Sequence, residues 1–139
     1  MEIQIHRRPD ELDLTTQNIK ELCRKVSLYI GLEAKYCSVI FVDIQEIIAL
    51  HRDYLNDPSP TDVITFDVGD DAVEGEIYLC PQQAKIQAEE YGVSFREEVI
   101  RLIIHGILHL KGYNDIEAEE RREMKTLENE LVTLYSKKM

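Results

Sequence analysis

HGILHLKGYND, residues 105–115, sets two histidines four positions apart, a glycine three residues after the second, and an aspartate three residues after that. Four residues of α-helix turn through about 400°, so His105 and His109 project about 40° apart and one turn along the axis, where both imidazoles can reach one ion. Gly112 accommodates the left-handed backbone that ends a helix, and the chain beyond it can fold back so that Asp115 offers an oxygen. Two imidazoles and a carboxylate leave a fourth tetrahedral position open, as catalytic zinc sites do and structural ones do not. Binding of one divalent transition metal by His105, His109 and Asp115 is the first expectation.

The histidines close a segment, Phe95 to Lys111, that reads as one helix, with Ser94 and Glu97 as a capping box at its start and Gly112 as its cap. Downstream, residues 116 to about 136 predict a final amphipathic helix presenting Met124, Leu127, Leu131 and Leu134. Upstream, Pro81 suits the first turn of a helix that runs to Gly92. DVITFDV and GEIYLC read as two strands joined by an acidic turn, and NDPSPTD, with two prolines within three residues, separates them from a helix carrying Ile47, Ile48, His51, Tyr54 and Leu55. That helix opens at an Asp43/Glu46 capping box, after a β-branched strand at residues 37–43. Ile19, Leu22, Cys23, Val26 and Ile30 place a helix from Thr16 to Gly31, and residues 2–8 alternate as a half-buried strand. Strands interleaved with helices, some of them antiparallel neighbours, predict an α+β fold: a single domain over residues 1–139, with a mixed sheet of about four strands packed with helices. No glycine-rich turn leads from a strand into a helix, so a phosphate-cradling nucleotide fold has no anchor.

A formal charge of −11 argues against a protein whose whole surface attracts phosphate. A nucleic-acid substrate then requires a local basic cleft and salt-sensitive binding. Cys23, Cys37 and Cys80 stand singly among apolar neighbours, which predicts buried thiols rather than disulfides or a thiolate zinc knot. With no basic start before an apolar run and no apolar stretch of about eighteen residues, a cytoplasmic protein is expected.

The order His, three residues, His, two residues, Gly, two residues, Asp follows the extended zincin signature, with Asp in place of its third His, so a zincin-like metal-binding helix is expected. A zinc protease of that class carries its general base, a Glu, directly after the first His. Here that residue is Gly106, which argues against peptide hydrolysis. HGILHLKGYND resembles the motif of the YbeY family, usually His-Gly-x-Leu-His-Leu-x-Gly-Tyr-Asp-His. PTDVITF, residues 60–66, resembles the family's Pro-Thr-Asp-Val-Leu-Ser-Phe, GEIYLC its Gly-Asp-Ile strand, and Met124 with its neighbouring glutamates the family's closing helix. The resemblance implies a zinc-dependent, single-strand-specific endoribonuclease acting on rRNA, at the 3′ end of small-subunit 16S rRNA, and in late ribosome quality control. It further implies one Zn2+ ion on His105, His109 and Asp115, with the small ribosomal subunit and assembly factors such as an Era-like GTPase as partners.

This chain departs from the family pattern twice. Asp115 replaces the third histidine and Asn114 the Asp before it, which lowers the charge of ion plus ligands from +2 to +1 and predicts a less acidic bound water. Leu55 stands where the family commonly has arginine. Arg52, three residues earlier on the same helix, and Lys111 are the candidate catalytic cations. Thr61 and Asp62 are candidates to line the cleft or orient a ligand, or else form a turn that starts the strand. Asp67, Asp70, Asp71, Glu74 and Glu76 read as a solvated acidic edge, and His6 and His51 as residues remote from the metal. A second reading keeps the zinc and drops the chemistry: a non-catalytic ribosome-assembly binding protein.

Overall fold

Four strands, β1 (Glu2–His6), β2 (Ala34–Phe41), β3 (Val63–Asp67) and β4 (Val73–Leu79), form one sheet in the order β1-β2-β4-β3. The first three in that order run parallel and β3 returns antiparallel along β4, so the sheet is mixed and the fold α+β. Among the described residues five α-helices cover it: α1 (Thr16–Ile30), α2 (Ile44–Leu55), α3 (Pro81–Tyr91), α4 (Phe95–Lys111) and α5 (Ala118–Tyr135). This computed structural model describes residues 1–55 and 61–138.

Strand alternation divides the core between two faces. Cys37, Val39, Phe41, Ile77 and Leu79 join the main cluster with α1, α3, α4 and α5. Ile40, Ile64, Phe66 and Tyr78 point the other way and pack with Ile44, Ile47 and Leu50 of α2. The helix that carries the histidines is the central one. Val99, Ile100, Ile103, Ile104, Ile107 and Leu108 are fully buried, and each such side chain contributes about 1.5–3 kcal/mol relative to exposure. Between the terminal Arg96, Glu97 and Lys111, its polar residues form one stripe, Glu98, Arg101, His105 and His109, at intervals of three or four. The core therefore fixes which way the histidines point.

Several expected boundaries move. β1 ends at His6, because Arg7 adopts φ 62° and turns the chain. β2 starts at Ala34, three residues ahead of its β-branched run, through parallel pairing with β1 and β4. Asp43 and Glu46 form the reciprocal capping box (2.8 and 3.1 Å), and Thr15 with Asn18 forms another. At α4 Ser94 accepts from Glu97 N at 3.0 Å. In α5 Met124, Leu131 and Val132 are buried, whereas Leu134 is 37% exposed, because it falls off the stripe that meets α4. All three cysteines are buried and free. Most of NDPSPTD, residues 56–60, lies outside the described residues. Among the described residues no helix is long and apolar enough to cross a membrane.

Candidate metal centre

Close packing of α4 on the sheet sets the depth of the histidines. A Cβ added at Gly106 would lie 2.9 Å from Ile77 Cδ1 and 3.0 Å from Thr65 Oγ1. The position where a zinc protease carries its base therefore faces strands with no room for a side chain, while His105 next to it faces outward.

The two imidazoles lie with ring centroids 4.6 Å apart at 79°. His105 Nδ1 is 2.7 Å from Glu128 Oε1, and His109 Nδ1 is 3.0 Å from the Tyr113 carbonyl oxygen. Both partners are acceptors, so each Nδ1 carries the ring proton and donates it, and each Nε2 presents a lone pair. Those two Nε2 atoms face each other at 3.0 Å. Such a pair repels unless it shares a cation. Burial, and after it the neighbouring His105, push the His109 pKa below the usual histidine value, which disfavours a proton in that role. Gly112, at φ 115°, reverses the chain, and the Asn114 side chain accepts from Ile116 N at 3.2 Å, closing the turn that holds Asp115. Ligand atoms of His105, His109 and Asp115 all lie within 4.8 Å of one another. The donor set fits a divalent metal: two imidazoles, each oriented through its far nitrogen, and an exposed carboxylate.

Glu128 is the principal site residue that sequence reading missed. It is 4% exposed and also accepts from Arg101 Nη1 (2.7 Å) and Lys125 Nζ (3.1 Å). Burial pushes its carboxyl up, and the hydrogen bonds from His105 and Arg101 more than reverse this, leaving the pKa at about 2. The one trace in the sequence is an acid four residues after Met124 and three before Leu131, on the buried stripe of α5.

His105 and Asp115 open on a cavity of about 190 Å³ that Glu128, Arg101, Lys125 and Arg121 also line. Among the described residues the Arg121 side chain has no ion-pair partner. Asp62, at the foot of β3, lines the cavity as well, and Thr61 donates to its Oδ1 at 3.4 Å. Buried Glu98 shares this wall, its Oε1 without a hydrogen-bond partner among the described residues. Burial, and then nearby Asp62, raise its pKa above the ordinary carboxylate value.

Neither candidate cation lines the cavity. Arg52 lies on α2, the helix on the opposite face of the sheet, and pairs with Asp53 at 3.1 Å. Lys111 leaves α4 two residues past His109 and donates to the Gly31 carbonyl at 3.1 Å. In the acidic edge, Asp67 Oδ1 accepts from Gly69 N and Glu74 N, both at 3.0 Å, organising the β3–β4 turn. His6 and His51 are not among the grouped metal donors.

The fold and the site define a class first: a zincin-like α+β protein whose central helix carries a three-donor candidate metal centre. Within it the chain belongs to the YbeY family, since the family model described as Endoribonuclease YbeY matches residues 4–136. The chain is 40% identical over 106 residues to the Endoribonuclease YbeY of Thermobifida fusca, covering 68% of each chain. It is 35% identical over 135 residues to that of Carboxydothermus hydrogenoformans, covering 94% of each. The solution structure of TM1509 from Thermotoga maritima matches with a TM-score of 0.68 at 32% identity, over 94% of this chain and 86% of that one.

Proposed function

We propose that this chain is a zinc-dependent endoribonuclease that cleaves single-stranded RNA in the cytoplasm, with the 3′ end of small-subunit 16S rRNA as its target. The observation that carries the reading is the pair of histidine Nε2 atoms facing each other at 3.0 Å. Family membership supplies the class of substrate. Partners in this reading are the small ribosomal subunit and its assembly factors, an Era-like GTPase among them.

His105, His109 and Asp115 would hold the ion, and when bound zinc supplies Lewis-acid polarisation and acidifies water. The chain's own residues supply the rest. Glu128 holds His105 in the tautomer that offers Nε2, and the Tyr113 carbonyl does the same for His109. Glu128 draws Arg101 and Lys125 to the same wall, and Arg121 adds a guanidinium without an ion-pair partner among the described residues. The same lining carries four carboxylates, Asp62, Glu98, Asp115 and Glu128, so these three cations do not make it basic overall, and a bound metal would supply the further positive charge that a protein of charge −11 needs to hold a phosphodiester. The three cations are the groups placed to balance charge on the reacting phosphate. Arg52 and Lys111 do not line the cavity and take no part in this reading.

Purified, metal-loaded protein should cut a single-stranded RNA bearing the small-subunit 3′ end and spare the same sequence in a duplex, with His105→Ala inactive. Cyclic 2′,3′-phosphate ends on the product would report attack by the 2′-OH, and their absence attack by water. Equal cleavage by wild type and His105→Ala would remove the reading.

A further inference from the structure

The cavity beside the candidate metal centre has two unlike walls. α3 and α5 each pack against α4, so the space over α4 lies between them. The α5 wall is cationic, as described above. The α3 wall contributes Gln87 and Tyr91, four residues apart and therefore on one face. Buried Ala84 and Ala88 anchor α3 along the adjoining stripe, which leaves Gln87 and Tyr91 facing the cavity. Tyr91 is 66% exposed. Among the described residues its ring stacks on no other and its hydroxyl has no hydrogen-bond partner, nor does the Gln87 amide. Val63 and Leu102 add apolar surface between the walls. An exposed aromatic ring beside an uncommitted amide, across from guanidinium groups, is more than phosphate binding requires.

We propose that Tyr91 and Gln87 form a nucleobase subsite, in which the Tyr91 ring stacks on one unpaired base of an RNA strand and Gln87 hydrogen-bonds the edge of that base. The proposal rests on the nuclease reading for its substrate and adds a source of strand selectivity. A base inside a duplex has its faces covered by neighbours and its edge paired, so it cannot lie against Tyr91. An unpaired base offers both. With the base on α3 and the backbone on Arg121, the strand runs past His105 and Asp115, and the subsite sets which phosphodiester reaches the donors. Stacking is tolerant of sequence, and larger purines stack more strongly than pyrimidines, so a modest purine preference follows.

The test uses the full chain loaded with zinc and two fluorescein-labelled RNA octamers, one of adenosine and one of uridine, with binding read by anisotropy and cleavage read in parallel. Tyr91→Ala should weaken binding of the adenosine octamer roughly tenfold, in the range of one lost stacked base, and narrow its advantage over uridine. Tyr91→Phe should restore both, which a loss of folding would not allow. Gln87→Ala should weaken binding with the adenosine advantage retained. Tyr91-dependent binding with no cleavage by the wild type would keep the subsite and overturn the nuclease reading. Cleavage with binding unchanged in Tyr91→Ala would overturn the subsite alone. Failure of Tyr91→Phe to restore binding would also overturn it, by assigning the effect to the hydroxyl.

Discussion

Two glutamates of this protein, Glu46 and Glu128, are both held at a pKa of about 2 by hydrogen bonds, against unequal opposition from burial. Glu46 lies in solvent, where Arg7 donates to both its oxygens at 2.7 and 2.8 Å and the Asp43 N–H adds a third bond. Burial opposes those bonds there too, but by less than either the Arg7 bond or the Asp43 N–H bond lowers the pKa. Glu128 is buried, and its partners must first overcome desolvation before lowering the pKa at all. Equal shifts thus report unequal stakes. Water can replace Arg7 at the surface, whereas nothing can replace Arg101 and His105 beneath α5. The difference separates a surface clip that fixes the start of α2 from a buried support that orients a candidate metal ligand.

The largest effect should come from Glu128→Ala. Arg101 would lose its partner and His105 the acceptor that fixes its tautomer. Zinc affinity should fall by about 10–100-fold in chelator competition, and urea unfolding should show a loss of about 3–5 kcal/mol. Unchanged zinc affinity would reduce Glu128 to packing.

Acid titration of the metal-free protein sharpens the comparison. The folded pKa of Glu128 lies below its unfolded value of 4.5, so its contribution is fully present above 4.5 and is lost as pH falls toward about 2. Stability should drop by about 3 kcal/mol across that window, and Glu128→Gln should flatten the drop. A smaller effect is expected at Gly106. Gly106→Ala pushes a methyl against Ile77 and Thr65 and should cost about 1–3 kcal/mol in urea, with zinc binding weakened as α4 lifts. Smallest of all, Glu46→Gln should change stability by less than about 1 kcal/mol at 0.1 M salt, leaving zinc binding untouched. An effect as large as that of Glu128→Gln would erase the distinction between the two sites.

What the sequence makes legible follows from how far each residue's partner lies along the chain. His105, His109 and Gly112 share one helix and its end, so helical spacing alone brings the histidines together. Asp115 follows within the same turn. The strands and caps are equally local, apart from the early start of β2, which depends on pairing with β1 and β4. Glu128 reaches His105 from 23 residues away. That contact depends on how α5 crosses α4, and spacing within either helix does not encode it. The same limit explains Arg52, which periodicity assigns to an amphipathic helix without saying which face of the sheet α2 covers. Arg101 could have been found, since with Glu98, His105 and His109 it forms the polar stripe along the apolar middle of the helix.

The central claim is that His105, His109 and Asp115 hold one metal ion, and elemental analysis of the purified chain tests it most directly. Wild-type protein is expected to carry close to one zinc per chain and the double variant His105→Ala/His109→Ala none, with both folded by circular dichroism. One tightly held zinc retained in the folded double variant would contradict the account.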